Sequence, residues 1–295
     1  MRSEVLGDNL GGFKSEEERQ AAKEFNEKNG IDFTKLNEVL QDLDFDSEKF
    51  NQTKKLVGEF KSEIDKYNLE DKQRIINALV EMLKLHQDQT DRPDGSPYVN
   101  HPLEVASDVM ELDAKANPDL VVASLLHDTV EDQGIKLSID YLEQKYGSAI
   151  KNLDQADLEE TYGQEIRDIA LSEISRKYGK QVGGLIQHLS NPNFDELLKL
   201  PEYQDKTKNE LYKEHVEEAI RDRNVLVIKY VDFSKNALSL DNLPEGFKKE
   251  KLKAKYTPVI RVFIERFKDE SLLINNKEDI INKLEQAYGK LTTAS

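Results

Sequence analysis

The chain has 295 residues, enough for one large domain or two small ones. Aliphatic and aromatic residues make up 37% and charged residues 34%, a polar but foldable composition that argues against a disordered chain. With 42 basic against 58 acidic residues, the net charge of -16 argues against wrapping a nucleic-acid polymer, and a small anionic substrate then needs locally placed Arg and Lys.

There is no cysteine, so any metal must sit on histidines and carboxylates. The first residues lack an apolar signal core, and nowhere do eighteen apolar residues run together. A cytoplasmic protein without a membrane span is the expectation. Residues 1–14, with three glycines and little periodicity, read as a leader. From Ser15 to about Lys66 apolar residues recur at helical spacing (Phe25, Ile31, Phe33, Leu36, Val39, Leu40), which predicts two or three surface-type helices. A clearer amphipathic helix is predicted over Leu69–His86, with Ile75, Ile76, Leu79, Val80 and Leu83 as its buried stripe. Two prolines and a glycine between Arg92 and Pro97 then require a loop.

Two helices with good start signals follow. Pro102 stands at a tolerated first-turn position and leads into LEVASDVMEL. Asn117-Pro118 repeats the device and opens a helix reading DLVVASLLHDTVED. The run from Asn224 to Val231 is rich in β-branched residues, but the longer pattern through Leu240 favours a helix. Helices over 249–268 and 277–289 close a chain without hairpin signals. An all-α fold is predicted. Tyr146-Gly147, Tyr162-Gly163 and Tyr178-Gly179 recur every 16 residues in matching frames. They predict three short helices, each ended by its glycine.

The chemistry-bearing residues are individually weak signals. His127 and Asp128 are adjacent at the end of the apolar run VVASLL. Burying two ionisable groups costs several kcal/mol unless they are paired or hold a metal. Glu131 and Asp132 follow at i,i+4 from that pair, on the same helix face. Acidic residues at a helix C-terminus oppose its dipole, and that conflict points to a nearby cation. Beside such a cation, two carboxylates suit general-base and water-orienting roles. His101 precedes Pro102, and Asp232 ends the apolar run from Asn224. A lone histidine or aspartate at such a place is more often a capping or packed residue. Together, two imidazoles and two carboxylates form a mixed N/O set suited to Mn²⁺, Fe²⁺ or Zn²⁺.

Three blocks, RPDGSPYVNHPLEVA, VVASLLHDTVEDQ and IKYVDFSKNALSL, in this order, resemble the HD domain of Rel/Spo-type alarmone hydrolases. The single-domain small alarmone hydrolases are the nearest match, over roughly residues 72–268. The resemblance implies an HD-domain helical bundle with one Mn²⁺ held by His101, His127, Asp128 and Asp232. It implies hydrolysis of the 3′-diphosphate of ppGpp or pppGpp with release of pyrophosphate, Glu131 and Asp132 activating the water. Arg92 matches the residue that packs on the guanine, and a planar guanidinium suits that task. Asn236 matches a nucleotide-contacting asparagine, Ser239 stands where a Thr hydroxyl is common, and Tyr98 and Lys229 match wall and supporting positions.

Three features depart from the pattern. Phe233 stands where the family usually places Arg or Lys, with Lys235 as the expected substitute. The segment between Glu131 and Asp232 is long, and the Tyr-Gly repeat over 140–187 reads as an enlarged helical insertion. The first seventy residues, an extra N-terminal helical segment, and the final helix over 271–295 have no counterpart. His86, His188 and His215 are left as structural or exposed, and oligomeric state is left open. The leading expectation is an Mn²⁺-dependent alarmone hydrolase with a small-molecule nucleotide substrate. The alternatives are hydrolysis of another phosphorylated nucleotide such as NADPH, and a non-catalytic nucleotide-binding module.

Overall fold

The computed structural model describes residues 32–42, 50–92, 94–113, 116–237, 240 and 246–293. The predicted leader, the segment holding Phe25 and Ile31, and Ser239 lie outside the described residues. Among the described residues the chain forms thirteen α-helices, a few 3-10 turns and no strand, in agreement with the all-α expectation. It divides into two compact units, one comprising residues up to 107 with 116–186, the other 108–115 with 187–295.

In the first unit, α1 (Thr34–Asp42) packs on α3 (Leu69–His86), which α2 (Asn51–Glu63) precedes. The α3 N-terminus is capped by the Asn68 side chain, which accepts from the Asp71 amide. All five residues of its predicted stripe are buried, each contributing about 1.5–3 kcal/mol through removal of apolar surface from water. Helix α4 (Asn100–Leu112) starts in this unit and ends in the other. Helix α5 (Pro118–Leu126) packs against α3, and its residues Leu120 to Leu126 are all buried. A helix that is apolar all round belongs inside a core.

The predicted helix from Pro118 through Asp132 is not continuous. Helix α5 ends at Leu126 and α6 (Thr129–Tyr146) begins at Thr129, so His127 and Asp128 form the joint. Helix α6 packs along α7 (Gln155–Tyr178) around Leu142, Ile150, Leu158 and Ile166. A Cβ on Gly134 of α6 would come within 3.1 Å of Ile166.

The repeat is correct at its ends and wrong in its middle. Tyr146 and Tyr178 close α6 and α7, followed by Gly147 at φ 90° and Gly179 at φ 95°. Those left-handed values are where glycine has no competitor. Tyr162-Gly163, by contrast, lies inside α7. Leu158, Tyr162, Ile166 and Ile169 form a helical stripe against α6, and its burial outweighs the cost of about 1 kcal/mol for an interior glycine. Arg74 of α3 donates to the Tyr178 carbonyl and pairs with Asp119 of α5, tying the end of α7 to this core.

Helix α8 (Lys180–Leu189) leads from the first unit into the second, which adds α9 (Phe194–Leu197), α10 (Lys208–Ala219), α11 (Arg223–Ala237), α12 (Phe247–Phe267) and α13 (Lys277–Thr293). The β-branched run from Asn224 is helical, in α11, as the longer pattern indicated. Tyr230 and Phe233 of α11 meet Phe263 of α12, with ring centroids 5.9 and 4.9 Å apart. Helix α12 also packs on α10 and α13.

Candidate metal centre

Local chemistry fixes the first histidine. The Arg92 amide bonds the Ser96 carbonyl across a turn, and Gly95 takes φ 83°. The Asp94 carboxylate accepts from the Ser96 hydroxyl and amide, which holds its carboxyl below the usual range. Four residues after Ser96 α4 begins, and Pro102 occupies its first turn, where a missing N–H costs nothing. Asn100 takes a buried 2.5 Å hydrogen bond from Thr53 of α2, so the N-terminal extension pins the start of the helix that carries His101.

The second and third groups come from the α5–α6 joint. His127 Nδ1 lies 2.8 Å from the Ser124 carbonyl. A carbonyl only accepts, so Nδ1 carries the proton and Nε2 is the nitrogen that could hold a metal. His127 Nε2 lies 3.1 Å from Asp128 Oδ2, and His101 Nε2 lies 3.6 Å from the same oxygen. Ligand atoms of His101, His127 and Asp128 all lie within 4.8 Å of one another. Both imidazoles are buried, and the Asp128 side chain is 22% exposed. Two imidazole nitrogens and a carboxylate oxygen converging at a buried point fit a divalent first-row ion. The sequence-derived trio is thereby brought together. Tyr98 donates its hydroxyl to Asp128 Oδ2 at 2.5 Å, and its pKa is raised, chiefly by burial and then by the Asp128 charge. The phenol therefore stays a donor.

Glu131 and Asp132 are exposed and lie in the first turn of α6. This corrects the electrostatic reading. They stand at a helix N-terminus, where the dipole favours carboxylates, so their placement by itself implies no cation. The Asp132 amide bonds the Asp128 carbonyl, which keeps the two residues one turn apart as expected.

Sequence reasoning missed three neighbours. His86, set aside as structural or exposed, is 1% exposed at the end of α3 and stacks on Tyr98 with ring centroids 5.2 Å apart. Burial lowers its pKa. Gln89 contacts His86, Asp132 and Gln133 together. The available signal was the stripe itself: His86 continues Leu79, Met82 and Leu83 at buried-face spacing.

Of the remaining candidates, all but Arg92 belong to the second unit. Asp232, half-buried on α11, accepts at Oδ1 from Asn236 Nδ2 at 2.8 Å, a bond that orients the carboxylate. Lys229 is buried and donates to the Leu189 carbonyl at the C-terminus of α8, 2.8 Å away, where the helix dipole favours a cation. Lys235, the expected phosphate-holding substitute, pairs with Asp108 at 2.8 Å. Phe233 is 2% exposed and packs on Tyr256 and Phe263, so the family's cation position is here a core position. Arg92 is half-buried at the start of its turn.

Residues 78–159 match the HD domain family model, a span that holds His101, His127, Asp128, Glu131 and Asp132. The guanosine-3′,5′-bis(diphosphate) 3′-pyrophosphohydrolase of Homo sapiens is 40% identical over 72 residues, 24% of this chain and 38% of that protein. A probable chloroplastic GTP diphosphokinase of Arabidopsis thaliana is 35% identical over 88 residues, 30% of this chain and 12% of the relative. The chain thus spans well under half the length of these relatives. A solved structure described as a metazoan ortholog of SpoT that hydrolyzes ppGpp aligns with a TM-score of 0.48 and 16% identity, covering 74% of this chain and 94% of that one. Over the segment carrying the three converging ligands, the chain resembles HD-domain ppGpp hydrolases.

Proposed function

We propose that the protein is a metal-dependent pyrophosphohydrolase that converts ppGpp or pppGpp to GDP or GTP and pyrophosphate. The convergence of His101, His127 and Asp128 at one buried point carries the reading. Asp232 is the proposed fourth ligand and Mn²⁺ the proposed ion, one per chain. When bound, the ion supplies Lewis acidity to a phosphoryl oxygen. Glu131 and Asp132, exposed in the first turn of α6, take the proton of the attacking water and orient it. Water adds to the phosphorus borne on the ribose 3′-oxygen. The bond from that oxygen to phosphorus breaks, and the oxygen leaves with a proton. Arg92 is assigned to the base. Tyr98, Lys229, Lys235, Asn236 and Ser239 are assigned to the walls and supports of the nucleotide site.

Phe233 and Lys235 favour a second reading, with the same chemistry on another phosphorylated nucleotide such as NADPH. The first is packed in an aromatic core and the second is paired with Asp108, so neither is an uncommitted phosphate clamp. Full-length protein loaded with Mn²⁺ and given ppGpp, pppGpp or NADPH separates the readings. Pyrophosphate from ppGpp, abolished in Asp128→Ala, is the expected result. Phosphate from NADPH with ppGpp intact supports the second reading. Tight ppGpp binding without turnover of any substrate overturns both and leaves a binding module.

A further inference from the structure

A chain of hydrogen bonds and one ring stack, outside the ligand set, joins Asp132 to Asp128 in the first unit. Gln89 Nε2 donates to Asp132 Oδ2 at 2.8 Å. Gln133 Nε2 lies 2.9 Å from Gln89 Oε1, and His86 Nδ1 lies 2.6 Å from the same oxygen. A carboxylate only accepts, so the Gln89 amino group must face Asp132 and its carbonyl must face the other side. That carbonyl then needs donors. Gln133 supplies one, and the other is the Nδ1–H tautomer of His86. His86 is itself held by stacking on Tyr98, whose hydroxyl ends on Asp128. One continuous path therefore runs from Asp132 through Gln89, His86 and Tyr98 to Asp128.

We propose that Gln89 is a positioning residue: it fixes the rotamer of Asp132, with His86 and Gln133 locking the amide in the only orientation that can donate to it. The role rests on the reading of Asp132 as a group that handles the attacking water. The geometry suits the task. Asp132 is exposed and its side chain would otherwise sample several rotamers, whereas Gln89 is half-buried and anchored from the side opposite Asp132. A displacement of the order of 1 Å at a reacting group costs roughly a hundredfold in rate. Only an amide fits the site, because one end must donate to a carboxylate while the other accepts two N–H groups. The isosteric acid offers Asp132 no N–H and adds a like charge beside it, so a positioning donor cannot be replaced by it.

Two measurements on the full chain test this. In Gln89→Ala and Gln89→Glu, kcat should fall roughly 10- to 100-fold with KM and Mn²⁺ affinity within about twofold of wild type. Near-wild-type turnover in Gln89→Glu overturns the proposal, because that variant keeps the shape, loses the donor and sets a second carboxylate against Asp132. A change confined to KM or to Mn²⁺ affinity overturns it as well. The second measurement needs no turnover: the side-chain amide resonances of Gln89 in ¹⁵N-labelled protein should move in Asp132→Ala and stay in place in Glu131→Ala. If they ignore Asp132→Ala the proposal falls. If wild type cleaves no nucleotide while the resonances move as expected, the functional reading fails and the hydrogen-bonded link between Gln89 and Asp132 stands.

Discussion

Tyr98 shows how much a single hydroxyl can carry. The sequence resemblance placed it on a nucleotide wall, and the structure puts its oxygen 2.5 Å from Asp128 Oδ2. Groups that orient a metal ligand typically contribute 10- to 100-fold to metal affinity. Tyr98→Phe keeps the ring that stacks on His86 and removes only the donor. It should weaken Mn²⁺ binding roughly 10- to 100-fold, read by titration calorimetry on protein stripped with chelator. Unchanged affinity would return Tyr98 to the role of wall. The trio His101, His127 and Asp128 was legible because each sits at an element boundary next to an apolar run. His86 and Gln89 were not, since a buried imidazole at a helix end looks like packing until the bonds of Gln89 to Asp132 and Gln133, distant in sequence, are visible. Lys235 and Phe233 mark the opposite failure. Their sequence offsets from Asp232 say nothing of the ion pair with Asp108 or of the aromatic core that occupies them.

Among elements, the Tyr-Gly series separates what a motif dictates from what packing dictates. Gly147 and Gly179 adopt left-handed φ values, and Gly163 is an ordinary helical residue. A Cβ would meet nothing within 4 Å at Gly147 or Gly163, so contacts do not distinguish them and backbone conformation does. Gly147→Ala and Gly179→Ala should each destabilise by about 1–2 kcal/mol. Gly163→Ala should stabilise by about 0.5–1 kcal/mol, since it removes unfolded-state freedom from a helix interior. Urea unfolding of the three variants checks the signs, and a destabilising Gly163→Ala would restore the three-turn repeat. The break between α5 and α6 was similarly hidden. Nothing in LLHDTVED announces a stop, because His127 and Asp128 keep near-helical backbone angles while leaving the regular helix. Its effect is to move Glu131 and Asp132 from a helix end to a helix start, reversing the sign of their dipole interaction.

For the molecule as a whole, the helical period made the fold class and most core faces readable, while the division into two units was not. The boundaries within α4 and α8 fall inside continuous helices, and Gly183-Gly184, next to the second, does not interrupt α8, so nothing in the sequence announces them. Among the described residues no helix is long and apolar enough to cross a membrane. Global stability should carry the signature of His86. Burial lowers its pKa from 6.5, opposed more weakly by the Gln89 bond and the charges of Asp128 and Asp132. Below about pH 6.5 the unfolded chain takes up a proton that folded His86 refuses, so the unfolded state binds more protons and stability falls with pH. Thermal unfolding between pH 7.5 and 5.5 should show this loss, and His86→Asn should flatten it. An equal slope in that variant would assign the loss to other groups.

The ligand set also bears on how such a protein changes over time. His101 and His127 project from helix ends whose surroundings are buried, and α5, behind one of them, has no exposed residue from Leu120 to Leu126. Substitutions accumulate fastest where they touch nothing, and none of those places lies behind the imidazoles. Tolerance of substitution is therefore lowest around the imidazoles and highest at exposed positions that take no part in the site. Changes on that exposed surface leave the three converging groups where they stand.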